Sequence, residues 1–234
     1  MGTFLPQAIF KPNEKFRLML KKLNKIRRSS LINMFLLIFY SVGVAGLAWS
    51  ETRDIFITLM PYTLLLAMGL MFWVHKSWKP RHLFYFLLIV LLGFFVEVAG
   101  VLTGVVFGEY QYGKALGFKL WGTPPMIGLN WLMLIYAVYT MLRKMQMHRL
   151  LQILLGASLM VAYDVVMEPV AISLDMWSWA GGGIPLQNYV AWFVISLVML
   201  SVLHLAKLRY RNRVAPWLFF IQMGFFLILN LLVT

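Results

Sequence analysis

After a polar stretch of about thirty residues, the chain turns into long apolar runs separated by short polar breaks. Seven runs can be marked, at about 31–49, 54–74, 82–106, 124–142, 148–173, 186–206 and 214–234. Each is roughly 19–25 residues long, enough to cross ~30 Å of hydrocarbon as a helix. In lipid, only a helix satisfies its backbone groups within one exposed segment. The pattern therefore predicts an all-α fold: a polytopic membrane helix bundle of about seven transmembrane helices. Residues 1–30 are expected to form a basic cytoplasmic or interfacial segment, and residues 31–234 the seven-helix transmembrane domain. The first run is not followed by a convincing small-residue cleavage site and is expected to be an uncleaved span.

Composition agrees. Of 234 residues, 62% are hydrophobic and only 12% charged, more apolar surface than a soluble domain of this length can hide. The net charge of +13 would suggest nucleic acid for a soluble protein, but here the basic residues lie between apolar runs and mark topology. Segments 1–30, 75–81, 143–149 and 207–213 hold eighteen of the 21 Lys and Arg residues, and the alternate segments hold three. The N-terminus is thus expected in the cytoplasm and the C-terminus outside, in the cell membrane. Residues 14–28 place Phe16, Met19, Leu20, Leu23 and Ile26 at helical spacing among basic residues. This reads either as an interfacial helix on anionic headgroups or as a plain positive flank.

The acids then fall at one depth. Glu97 lies fifteen residues into its run, roughly 22 Å along a helix. Asp164 and Glu168 reach a similar level in theirs and, at i and i+4, share one helix face. Asn130 and Asn188 descend from the same side, and Glu109 and Asp175 stand in the two loops there. Ionisable groups in a membrane usually face the bundle interior or a wet cavity. One shared pocket is one reading; separate interhelical hydrogen bonds with solvated loop acids is the other. No basic residue within a span lies at this depth, so ion pairing does not explain the cluster. Carboxylates crowded in low dielectric cannot all stay ionised, and a retained proton is what a general acid needs. Gly93, Gly100 and Gly104 lie near the face of Glu97, where they allow close helix approach. Pro169, directly after Glu168, weakens the hydrogen bonding of the preceding turn. Trp177 and Trp179, ahead of three glycines, read as an aromatic belt or as a lid whose rings face a cation.

Several chemistries have no support. Cysteine is absent, and the four histidines sit at the opposite ends of the runs, without the clusters of a di-iron site. No metal site, dinucleotide fingerprint, P-loop or Asp-rich diphosphate motif is evident, and the last run has no lysine for a retinal Schiff base. Acid–base chemistry on a greasy substrate, without a cofactor, remains.

The stretch 100–134, "GVLTGVVFGEYQYGKALGFKLWGTPPMIGLNWLML", resembles the membrane carotenoid biosynthesis proteins typified by the CruF-like carotenoid 1′,2′-hydratases. It carries Thr103-Gly104, Phe107-Gly108, Tyr110, Tyr112, Leu116-Gly117, Gly122, Pro124 and Leu129-Asn130-Trp131 in the family's order. Residues 163–193, from Tyr163-Asp164 to Trp192-Phe193, resemble the family's D-x-x-x-D-P-V segment and the tryptophan-rich loop after it. Glu168 departs from that pattern by one methylene, and "TPPMIGLNW" departs from a more aliphatic run. The resemblance covers roughly 97–193.

It implies acid-catalysed addition of water to the terminal ψ-end double bond of an acyclic or monocyclic carotenoid, giving a tertiary alcohol. Asp164 and Glu168 would be the acid–base pair and Glu97 a third acid or tuner. Asn130 and Asn188 would hold water, and Tyr110, Tyr112 and Trp177 would steady a cation. Glu109, Trp131, Tyr163, Asp175 and Trp179 complete the candidate substrate-binding set. The expected partners are a carotenoid in the bilayer, membrane lipids and other enzymes of carotenoid biosynthesis. Rival readings are an end-group cyclase or isomerase, a lipid or proton-coupled transporter, and a structural subunit of a pigment-enzyme complex. A matching acid cluster on the cytoplasmic side and an inverted repeat, which alternating access usually wants, are not evident.

Overall fold

A computed structural model of the chain describes residues 14–76 and 78–234. Eight helices run in order: α1 (Glu14–Ala48), α2 (Ser50–Thr58), α3 (Met60–Trp73), α4 (Pro80–Thr103), α5 (Met126–Leu142), α6 (Arg149–Ser173), α7 (Leu186–Leu205) and α8 (Ala215–Leu232). Residues 1–13 of the basic segment lie outside the described residues. From Glu14 the segment is already the start of α1, continuous with the first span. Of the apolar face expected over 14–28, the side chains of Phe16, Met19, Leu20 and Ile26 are outside the described set.

Among the described residues, five helices are long and apolar enough to cross a membrane: α1 from Arg27, then α4, α6, α7 and α8. Their outer faces are greasy. On α4, Leu83, Leu87, Leu91 and Phe95 recur every fourth residue and are all exposed, while Phe86, Ile89 and Glu97 are buried. Water would penalise that exposure, and hydrocarbon does not. The protein is an integral membrane helix bundle.

The expected spans at 54–74 and 124–142 take other forms. The first is broken into α2 and α3, bent by 59°. Pro61 at the start of α3 brings no N–H to continue α2. Thr52 Oγ1 donates to Gly46 O (2.7 Å) and Arg53 Nε donates to Leu47 O (2.8 Å), so α2 folds back to satisfy the last carbonyls of α1. The other span is α5, seventeen residues or about 26 Å long. It is the central post of the bundle: every residue from Trp131 to Thr140 is buried. α4 comes close enough that a Cβ on Gly128 would stand 2.5 Å from Val90 O.

The basic segments collect at one end. Ser29, Lys144 and Arg213 share a polar hollow there, and Arg28 stacks on Trp73 at 4.3 Å. A knot ties this end of α5. His75 Nδ1 and Tyr136 OH are 2.8 Å apart, and Asn212 Nδ2 donates to Tyr136 OH (3.0 Å) and to Met71 O (2.7 Å). Arg143 donates to Leu208 O and Tyr210 O, and the Tyr136 and Tyr210 rings stack 4.7 Å apart.

At the other end the helix linkers pair. β1 (Tyr110–Tyr112) and β2 (Trp177–Trp179) form an antiparallel ribbon with Tyr110 opposite Trp179 and Tyr112 opposite Trp177. These two short strands are an addition to the all-α reading. Gly104, at φ +66°, ends α4 and starts the turn toward β1.

Gly128→Ala should force α4 and α5 apart and cost about 1–3 kcal/mol of stability. Thermal unfolding in detergent would show this as a lowered midpoint with the helical signal of the folded state kept.

Candidate active site

The ribbon is a roof, and its alternation decides what hangs beneath it. Side chains of a strand alternate between faces. Gln111 and Ser178 therefore point out and are exposed, while Tyr112, Trp177 and Trp179 are buried and Tyr110 is partly so. Lys119 Nζ donates to the carbonyl of Tyr112, holding the strand from outside. Gly113 N and Met176 O extend the pairing at 2.8 Å.

Below the roof lie three buried carboxylates: Asp164 is 0% exposed, Glu168 1% and Glu97 5%. Glu97 Oε2 accepts from Tyr110 OH and Tyr112 OH, both at 2.7 Å, and Oε1 accepts from Trp131 Nε1 at 2.9 Å. Glu168 Oε2 accepts from the indoles of Trp177 (2.9 Å) and Trp179 (3.1 Å). Asn188 Nδ2 on α7 spans the pair on α6, donating to Asp164 Oδ2 (2.7 Å) and Glu168 Oε1 (3.2 Å). These donors are all neutral. Burial beside Glu97 pushes the Tyr110 and Tyr112 phenols well above their usual range, so both remain O–H donors.

One atom is left over. Asp164 Oδ1 is buried with no hydrogen-bond partner. Asp164 lines a cavity with about 30 Å³ open to the centres of water molecules, enough for one or two waters. The three acids, Asn130, Asn188 and a wall of aromatic rings line it. Glycines make room for that wall: a Cβ on Gly93 would strike Trp131 at 2.7 Å, and one on Gly100 would strike Phe107 at 2.5 Å. Pro169 sits inside α6 one residue past Glu168, and Asn230 of α8 donates to the nearby Val166 carbonyl at 2.6 Å.

The candidates sort clearly. Glu97, Asp164, Glu168, Asn130, Asn188, Trp131, Tyr110, Tyr112, Trp177 and Trp179 line this cavity. Asn188 spends both N–H groups on carboxylates rather than on water. Trp177 and Trp179 are neither an interfacial belt nor a loose lid: strand pairing fixes them, and their N–H groups bind Glu168. Tyr163 is buried but lines a neighbouring apolar chamber. Glu109 is exposed, with its carbonyl accepting from Ala180 N. Asp175 is also exposed; at φ +53° its carboxylate accepts from Lys114 N (3.2 Å) and shapes the turn into β2. Neither loop acid lines the cavity. Phe107, Ile127, Met167 and Trp192 line it as well, Trp192 stacked on Trp131 at 4.3 Å; Phe107 and Trp192 stand in the motifs of the resemblance, whereas Ile127 and Met167 were not singled out by the sequence. Apolar residues in apolar runs carry no signal of that kind.

Among the described residues no group of three or more His, Cys, Asp or Glu side chains is arranged to hold a metal ion. The donors that converge on the carboxylates are hydroxyl, indole and amide groups, which suit hydrogen bonding rather than cation binding.

No solved structure matches the chain. A curated relative, the bisanhydrobacterioruberin hydratase of Haloarcula japonica, is 26% identical over 142 residues, covering 56% of this chain and 48% of its own. This chain therefore spans about half the length of that relative. The family described as "Carotenoid biosynthesis protein" matches residues 57–234, a range that holds every residue of the cavity. The chain belongs to the carotenoid biosynthesis protein family.

Proposed function

We propose that this protein is a carotenoid hydratase that adds water, by acid catalysis, to the terminal ψ-end double bond of an acyclic or monocyclic carotenoid. The observation that carries the reading is Asp164, with an unpartnered Oδ1, lining a cavity with room for water beside an apolar chamber. The relative named above is a hydratase, and the family is one of carotenoid synthesis.

In this reading Asp164 holds the proton. It gives the proton to the less substituted carbon of the trisubstituted double bond, and a tertiary cation forms at the other carbon. A water beside Asn130 attacks the cation, and Glu168 takes the surplus proton. That proton returns to Asp164 across the pair bridged by Asn188, so the protein ends as it began and the substrate has gained one water. Glu97, met on both oxygens by O–H and N–H donors, stays an acceptor and faces the developing positive charge with the Tyr110 and Tyr112 rings. No redox step is involved. The N-terminus would lie in the cytoplasm, with the site toward the outer leaflet of the cell membrane and other enzymes of the route as neighbours.

The test is expression in a strain that makes an acyclic ψ-end carotenoid, with mass spectrometry of the pigments. The expected product is heavier by one water. Asp164→Asn keeps the bond from Asn188 within reach but has no proton to give, and should slow formation by roughly 10²–10⁴-fold. An isomer of unchanged mass would instead mark an end-group cyclase. Normal product from Asp164→Asn would remove Asp164 from the role of acid.

Trp177→Phe should leave Glu168 one donor short and cost about 1–3 kcal/mol in thermal unfolding. Trp179→Phe should do the same, and the double variant should lose more than either alone.

A further inference from the structure

Three spaces in the bundle share walls. The acid cavity and the apolar chamber of about 100 Å³ next to it share Ile127, Asn130, Met167 and Trp177. The chamber reaches in turn to Tyr40 and Phe225, and these two residues also border a groove of about 360 Å³ between α1 and α8. The groove's lining is apolar apart from Ser41 and the Tyr40 hydroxyl, with Leu37, Val44, Phe220 and Ile228 along its sides. Trp217 and Ile228 mark its extent on α8, about 16 Å apart along the helix. Its outer side is the lipid-facing surface, where Leu37, Trp217, Phe220 and Ile228 are exposed.

We infer that this succession is the binding channel for the polyene. The reacting end group lies in the acid cavity, the adjoining segment in the chamber, and the distal polyene in the α1–α8 groove. The channel opens sideways to the bilayer between Tyr40 and Phe225. The inference rests on the hydratase reading for the identity of the ligand and deepens it by naming how that ligand is held.

Tyr40 on α1 and Phe225 on α8 form the two sides of the door. Tyr40 is buried, and Gln222 Nε2 donates to its hydroxyl at 2.8 Å. Gln222 is itself buried and lines the chamber, and its Oε1 is unpartnered. Phe225 is half-buried and meets Tyr40 edge to face, ring centres 5.3 Å apart. Gly43 on α1 leaves the Phe225 ring its space: a Cβ there would lie 3.3 Å from Cε2. Gly224 has nothing within 4 Å of its absent side chain, which leaves the groove floor open. Burying a long hydrocarbon against such walls replaces lipid contacts with protein contacts. The register of the chain, rather than hydrophobic gain, is therefore what the channel supplies.

The test uses the whole protein in phosphatidylcholine–phosphatidylglycerol nanodiscs loaded with an acyclic C40 carotenoid. Bound pigment is read from the polyene absorbance that stays with the purified protein, and turnover is read separately. Gly224→Phe puts a ring into the groove from a position whose Cβ would meet nothing within 4 Å, and Gly43→Val crowds the Phe225 ring. Each should lower bound pigment roughly tenfold or more. For Gly224→Phe, hydration of a short acyclic isoprenoid with the same end group should stay near wild type, because its tail ends in the chamber. Wild-type pigment binding and turnover in both variants would overturn the channel. So would loss of both substrates by Gly224→Phe with an unchanged melting temperature, since the effect would then lie at the acids. If wild type hydrates neither substrate but the variants still lose pigment, the channel stands and the hydratase reading falls.

Discussion

Three carboxylates buried in one end of an apolar bundle set the terms for everything around them. An acid taken out of water needs donors, and a charged donor is itself costly in a membrane. The chain meets this with neutral groups: two phenols, three indoles and one amide reach Glu97, Glu168 and Asp164. Such side chains are large and need exact placement of their backbone. The β1–β2 ribbon supplies it for four of them, because strand alternation drops two tyrosines and two tryptophans to the same side. Gly93 and Gly100 follow from the same demand, since Trp131 and Phe107 occupy the volume a larger residue would take.

The two ends of the bundle divide the labour. At the basic end, α5 is tied through Tyr136, Asn212, Arg143 and the stacked ring of Tyr210. This leaves α5 a rigid post whose far end presents Asn130 and Trp131 to the acids. α5 is short for a span because it is not asked to face lipid along its length: neighbouring helices cover it, and its first residues follow directly on Pro124 and Pro125.

Much of this was legible in the order of residues. Apolar runs set the bundle, and counting turns from the basic ends placed Glu97, Asp164, Glu168, Asn130 and Asn188 at one level before any contact was known. The bend at Leu59 was not legible, because hydropathy sums over a break that costs little apolar content. The ribbon was hidden for a different reason: three residues per strand give no periodicity to read, and its pairing joins segments more than sixty residues apart. Glu109 and Asp175 share the depth of the site but not its side, since one residue along a strand or turn reverses the direction of a side chain. Gln222, a lone amide in a greasy run, is a signal that the sequence does carry.

The roof over the acids also separates two reservoirs. Bulk solvent lies above the ribbon, and the hydrocarbon of the bilayer lies to the side. A cavity with room for one or two waters, closed above by paired strands and ringed by indoles and phenols, holds a small stock of exchangeable hydrogens of its own. Those on the Tyr110, Tyr112, Trp131, Trp177 and Trp179 donors are all engaged with carboxylates. The isotopic composition of the site is therefore expected to lag behind that of the medium. Protein moved into heavy water would keep its original protium at these positions longer than at its exposed loops, a memory set by how often the ribbon opens.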